Sequence, residues 1–289
     1  MFGFYIMTEK GFRVLEGFLK KFSDSDISYV IGDRDKTLNN DYYNNIKSLC
    51  LERHIPFYNR KEKFNQNAKC NFAVSWRYMI RRENFLIVFH DSLLPKYRGF
   101  APLINCLING EKVIGVTALY ASSNYDQGDI IFQESIRIDY PIKIREAFIK
   151  IIPIYEKLVI KIASEIKNGS VLTSKPQNEK EATYSLWRNN DDFIINWNLS
   201  NEIIKRHVDA LGTPYKGAST FNNGVLYRIH DVSIVPDVKI ENRDPGKIIF
   251  ITDGLPVVVC GKGLLELKDL RDENGKSLLP FNRLKVKFH

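Results

Sequence analysis

Short β-rich runs alternate with helical runs through the first half of the chain, and this alternation restricts the fold more than any other feature. "FGFYIM" is strand-like, and "GFRVLEGFLKKF" follows with apolar residues three and four apart. "ISYVIG", the helical "YYNNIKSLCLERH" and the strand "IPFYN" repeat the pattern. "CNFAVSW" and "NFLIVFH" read as two further buried strands. "APLINCLING" predicts a helix with Pro102 in its first turn and Gly110 as its stop, and "VIGVTALYA" and "DIIFQESIRI" add two strands. Strands separated by helices predict an α/β, Rossmann-like, mainly parallel sheet covered on both faces.

A long helix is predicted from about Lys143 to Asn168. Ile144, Phe148, Ile151, Tyr155, Leu158, Ile162 and Ile166 form its packing stripe, and Pro153 is expected to kink it. "TSKPQNEKEATYS" is polar and reads as part of a linker. Beyond it come a short helix, "SNEIIKRHVDAL", and a series of short strands. Asn223-Gly224 and Asp253-Gly254 are hairpin signals, and four or five antiparallel strands predict a small OB-like β-barrel. The expected division is a catalytic domain over 1–170, a linker over 171–198 and the barrel domain over 199–289.

A chain of 289 residues with 44% hydrophobic content can bury a real core, which argues against general disorder. The formal charge of +8 favours anionic partners such as nucleotides, phosphorylated small molecules or nucleic acid. Cys50, Cys70, Cys106 and Cys260 form no C-x-x-C pair, so neither a disulfide framework nor a metal site is expected, and a reducing compartment fits. The opening "MFGFYIM" is too short for a membrane span and reads as the first strand; the expected location is cytoplasmic, with no membrane partner.

His90 ends a predicted central strand, at the edge where open α/β sheets bind ligands. Asp126 sits in "SSNYDQGD", the loop between the next two strands. A histidine and a carboxylate from neighbouring loops are the parts of a general-base pair. Asp91, beside His90, is expected to point the other way and support the turn.

The stretch from Phe85 to Glu134 carries His90, Ser92-Leu93-Leu94-Pro95, Tyr97-Arg98-Gly99, Asn109-Gly110, Gly115-Val116-Thr117 and Asp126-x-Gly128, in that order. It resembles the folate-dependent formyltransferases, a family that includes methionyl-tRNA, glycinamide ribonucleotide and nucleotide-sugar N-formyltransferases. "DFIINWNLSNEIIKRHVDAL" and "PYKGAST" extend the resemblance, more weakly, into the C-terminal region. The resemblance implies an enzyme that takes 10-formyltetrahydrofolate as co-substrate. It implies His90 as proton acceptor or relay and Asp126 as its orienting carboxylate. Ser122, Ser123, Tyr125 and Gly128 are implied on the folate side. Trp76, Tyr78 and Met79 either form the opposite wall of the pterin site or simply pack in the core. Ser92, Lys96, Arg98 and Gly99 are candidates for substrate binding.

One position departs from the family pattern. Val88 stands where the family has an asparagine that can polarise the formyl carbonyl. Asn124 is the candidate substitute donor; a catalytically lost folate- or nucleotide-binding protein is the rival reading. Only Arg34 and Lys36 are basic in the segment where tRNA-acting members carry a basic insertion. The expected acceptor is therefore the amine of a nucleotide-linked amino sugar destined for lipopolysaccharide or glycan. Candidates are UDP- or dTDP-linked 4-amino-4,6-dideoxy sugars and intermediates of pseudaminic acid pathways. Methionyl-tRNA is the alternative acceptor, and a homodimer is left open.

Overall fold

The computed structural model describes all residues except 37, 39, 65–66 and 81–84. Asn84, expected at the start of a strand, and Thr37 and Asn39, which follow Lys36, lie outside the described residues.

In chain order the elements begin β1 (Phe2–Ile6), α1 (Thr8–Lys21), β2 (Ile27–Gly32), α2 (Tyr43–Glu52), β3 (Phe57–Asn59), β4 (Cys70–Val74) and β5 (Leu86–His90). They continue with β6 (Arg98–Gly99), α3 (Pro102–Asn109), β7 (Val113–Tyr120), β8 (Ile130–Arg137), α4 (Ile144–Lys167) and β9 (Tyr184–Ser185). The last are α5 (Asn201–Leu211), β10 (Ala218–Asn222), β11 (Val225–Val235), β12 (Ile248–Thr252), β13 (Leu255–Val259) and β14 (Leu264–Asp272). The chain forms two compact units. The first comprises 1–103, 112–138 and 148–186, the second 104–111, 139–147 and 187–289. The segment 171–198, expected as a linker, is thus divided between them. Its first part is bound to the first unit because Lys175 bridges Ile130 and β9 pairs with β6.

The first unit holds a seven-stranded sheet in the order β3-β2-β1-β4-β5-β7-β8. The pairs from β3 to β5 are parallel, whereas β5–β7 and β7–β8 are antiparallel. β1 and β4 are buried at every position, as expected for strands covered on both faces. On one face Phe18 of α1 packs edge-on against Phe2 and Phe4. Phe89 of β5 meets Phe72 and Tyr155 of α4. Because strand side chains alternate, Val88 and His90 share the opposite face.

The second unit carries a five-stranded antiparallel sheet, β10-β11-β14-β13-β12. Asn223-Gly224 and Asp253-Gly254 join β10 to β11 and β12 to β13, all four residues having positive φ. The two outer strands do not pair with each other. The C-terminal tail instead bonds both sides: the Phe221 and His289 amides donate to each other's carbonyls, and the Ile248 amide donates to Val286 O. Trp197, Tyr227 and Phe288 fill the interior, and the indole N–H of Trp197 donates to Thr220 Oγ1 at 2.9 Å.

Candidate active site

His90 is the last residue of β5 and is 7% exposed. Its register partner on β7 is Thr117. The chain after His90 must reverse within a few residues, and Thr117 anchors that reversal. The Thr117 hydroxyl donates to Ser92 O at 2.6 Å and accepts from the Leu94 amide at 3.1 Å. Gln133 of β8 donates to Leu94 O and to Thr117 Oγ1. From the other side the Tyr97 amide donates to Thr183 Oγ1 and the Arg98 amide to Thr183 O. The His90–Gly99 turn is therefore stitched to β7, β8 and the strand that contains β9.

Both ring nitrogens of His90 face oxygen. Nε2 lies 2.7 Å from Tyr97 O, so its N–H donates there, and Nδ1 lies 3.5 Å from Asp126 Oδ2. The same carboxylate oxygen accepts the Gly99 amide at 2.8 Å. Tyr97 and Asp126, the two residues that face the ring, both have left-handed backbone, with φ of 60° and 55°. Such strain costs about 1–3 kcal/mol per residue and persists only where surrounding contacts hold it, as they do at many functional sites. Two glycines make the close approach feasible. A Cβ on Gly128 would sit 1.7 Å from Tyr120 O, and one on Gly99 would sit 2.7 Å from Ser185 O. Asp91 turns to the other face, where Tyr155 and Lys10 bond its carboxylate. Burial alone would raise its pKa; the Lys10 ammonium and the two hydrogen bonds outweigh burial and hold it low.

The remaining candidates divide clearly. Ser122, Ser123, Asn124 and Tyr125 are exposed on the Asp126 loop, and Tyr125 contacts the ring of Phe100. The Asn124 side-chain amide donates to Gln127 Oε1, its one side-chain bond among the described residues. Lys96 is exposed, whereas Ser92 is buried with its hydroxyl donated to Lys96 O. Trp76 packs edge-on against Tyr5 and Tyr78, and its buried indole N–H has no partner among the described residues. Tyr78 and Met79 are exposed, with the Arg60 guanidinium over the Tyr78 ring. Val88 packs against the apolar cluster of Leu94, Leu119 and Ile130.

Arg98 requires a correction. Expected to face substrate, it is fully buried. Its Nη1 and Nη2 grip the Glu179 carboxylate at 2.8 and 2.7 Å. Nε and Nη2 donate to Gln177 Oε1, and Nη1 also reaches Tyr184 Oη. The Glu179 bond raises the guanidinium pKa. All five donors are used internally, so the side chain has none left for a ligand. A buried charge is tolerable only with such partners. Gln177 and Glu179 fell in the presumed linker, where nothing in the local sequence marks them.

Among the described residues no cluster of three metal-ligating side chains occurs, and no helix is long and apolar enough to cross a membrane. A cavity of about 590 Å³ lies in the second unit, lined by Lys143, Thr213, His230, Asp231, Lys268 and Arg271 among others. None of the candidate site residues named above lines it.

Comparison with known proteins shows the family. The formyl transferase profile matches residues 78–146, and that of the formyl transferase C-terminal domain matches residues 189–282. A methionyl-tRNA formyltransferase of Streptococcus agalactiae serotype III is 30% identical over 241 residues, 78% of this chain and 75% of the relative. The chain belongs to the formyltransferase family. It covers 61% of the length of another such relative, from Clostridium tetani, at 31% identity over 66% of this chain. Among solved structures, the sugar 3N-formyl transferase WlaRD, determined with dTDP and 5-N-formyl-THF, superposes with a TM-score of 0.70 at 20% identity. The match spans 92% of this chain and 96% of WlaRD. An N-formyltransferase from Helicobacter canadensis, in complex with folinic acid and dTDP-3-aminofucose, gives the same TM-score at 18% identity over 92% and 97%.

Proposed function

We propose that this formyltransferase moves a formyl group from 10-formyltetrahydrofolate to the amine of a nucleotide-linked amino sugar. The observation that carries the reaction class is the His90–Asp126 pair at the carboxyl end of β5. The amine nitrogen bonds to the formyl carbon as the bond from that carbon to the folate nitrogen breaks. One proton leaves the amine and one is delivered to the departing folate nitrogen. His90 is the relay for that proton, and Asp126 orients the ring and supports its positive charge. To accept the proton the neutral ring must turn Nε2 off Tyr97 O with its own N–H on Nδ1 toward Asp126, or take the proton through a water molecule. The exposed Ser122–Tyr125 segment offers backbone groups and a ring to the folate.

The amino-sugar acceptor rests on the end-to-end fold likeness to sugar N-formyltransferases. It rests also on the thin basic character of the loop after β2. There Arg34 bonds Asn44 and lies over the Tyr43 ring, and its neighbours include Asp33, Asp35 and Asp41. That loop offers little net positive charge to phosphates. Methionyl-tRNA is the second reading, favoured by the relatives near 30% identity.

The deciding experiment supplies 10-formyltetrahydrofolate with a panel of UDP- and dTDP-linked amino sugars, and separately with charged initiator tRNA, and reads the products by mass spectrometry. Gain of one formyl group on a nucleotide sugar is the expected result. Efficient formylation of methionyl-tRNA with none of any sugar would replace this reading by the second. Folate binding without transfer to any acceptor would favour the catalytically lost alternative that Val88 raises.

A further inference from the structure

Gln177 lies 51 residues after Asp126 in the chain, yet it is the group that holds the Asp126 loop. Its side-chain Nε2 donates to two backbone carbonyls, Asp126 O at 2.7 Å and Gly128 O at 2.8 Å. Its Oε1 accepts twice from Arg98, from Nε at 3.0 Å and Nη2 at 2.8 Å. The amide orientation is therefore determined: only the oxygen can face a guanidinium, and only the NH₂ can face two carbonyls. Arg98 is in turn gripped by both oxygens of Glu179. The next residue, Gly99, donates its backbone N–H to Asp126 Oδ2. The Arg98–Gly99 pair thus fixes Asp126 by two routes: through the carboxylate directly, and through Gln177 to the backbone.

We propose that Gln177 is a positioning residue of this active site, with Arg98 and Glu179 as its support, setting the Asp126 carboxylate against His90. Asp126 needs such a clamp because its φ of 55° is unfavourable for a side chain bearing a Cβ. The loop around it, Ser122 to Tyr125, is exposed and has little packing of its own. The two hydrogen bonds from Gln177 and the one from the Gly99 amide, backed by the buried Arg98 guanidinium, replace that packing. The inference rests on the formyl-transfer reading only for its kinetic consequence.

Gln177→Glu tests it most directly. A glutamate still accepts from Arg98 but cannot donate to the carbonyls of Asp126 and Gly128. In that variant kcat is expected to fall roughly 10–100-fold, the scale of a displaced catalytic group, with KM changed less than about threefold. Gln177→Met, of similar length, should behave likewise. Glu179→Gln, which keeps Arg98 hydrogen-bonded, should lose less than about tenfold. If Gln177 acts through Asp126, the Gln177→Glu effect should shrink to about twofold or less in an Asp126→Asn background. Undiminished kcat in folded Gln177→Glu, or full additivity with Asp126→Asn, would overturn the proposal. Should the wild-type protein transfer no formyl group at all, the functional reading fails while this one is still decided by amide hydrogen exchange. Exchange across residues 121–129 should then quicken by about tenfold in Gln177→Glu and stay unchanged in β1 and β4; equal exchange in that loop would sink the clamp.

Discussion

His90 in the first unit and His207 in the second are both largely withdrawn from solvent, and they are poised for opposite behaviour. His90 has an acceptor at each nitrogen, Tyr97 O and the Asp126 carboxylate. His207 meets a single carbonyl, Phe193 O, at 3.4 Å. Burial lowers the pKa of His207 to about 4, outweighing the Phe193 carbonyl, which alone would raise it; the nearby Arg188 charge adds to the lowering. In the proposed reaction the first imidazole carries a proton, whereas burial keeps the second neutral as packing. Burial does not distinguish a working histidine from a structural one; the number and charge of its acceptors do.

The comparison breaks most visibly in a pair of substitutions. His90→Asn should cost roughly 10²–10⁴ in turnover with little change in melting temperature. His207→Gln should leave turnover per folded molecule unchanged. Steady-state formyl transfer with thermal unfolding of the same samples checks both, and equal loss from the two would erase the distinction.

Asp126→Asn removes the charged acceptor that His207 lacks. Turnover should drop roughly 10²–10³-fold while the Gly99 amide retains an oxygen to bond. A variant that unfolds yet keeps its activity per folded molecule would make Asp126 a structural residue instead.

The pH dependence sharpens the contrast from the other side. The folded pKa of His207, about 4, lies below its ordinary value of 6.5. Between these values the unfolded chain binds more protons, so stability is fully present above about pH 6.5 and is lost as pH falls toward 4. The full shift corresponds to a loss of the order of 3 kcal/mol. Unfolding midpoints measured from pH 7 to pH 4 should fall steeply in the wild type and less so in His207→Gln. Parallel curves would show that another group carries the acid sensitivity. Asp91, held below the usual carboxylate range, contributes only at still lower pH.

The smallest effect is expected at Val88, on the His90 face of β5. Val88→Asn places an amide against Leu94, Leu119 and Ile130. An amide left unsatisfied at this half-buried position should lower stability by about 1 kcal/mol, and turnover should not rise. A gain near 10²-fold would mean that the site lacks one oxyanion donor and that the amide restores it.

Much of the scaffold was legible before any coordinates. Unlike the short β6 and β9, the strands of the seven-stranded sheet, α1, the Pro102–Asn109 helix and the long helix now bounded at Ile144–Lys167 follow from spacing of apolar residues. So do the hairpins at Asn223-Gly224 and Asp253-Gly254, because a turn's φ values depend on the residues in it. The meeting of His90 with Asp126 was expected from the family resemblance; the adjacency of β5 and β7 that brings them together is a finding of the structure.

Arg98, Gln177 and Glu179 show where that reasoning stops. An arginine between a tyrosine and a glycine, just after a strand-end histidine, has the local look of a ligand contact. Its side chain points inward because a carboxylate 81 residues later closes on it. Gln177 sits among lysine, proline and asparagine, the composition of a linker, and becomes a clamp only once Lys175 has paired with Ile130. Periodicity and turn chemistry are local properties, and the sequence by itself determined what they govern: the strands, the helices, the hairpins and the residue types offered at the strand ends. Which donor meets which acceptor across dozens of residues depends on the ordering of the whole chain. Only the tertiary structure could decide that Arg98 serves the protein and that Asp126 is held from behind by Gln177.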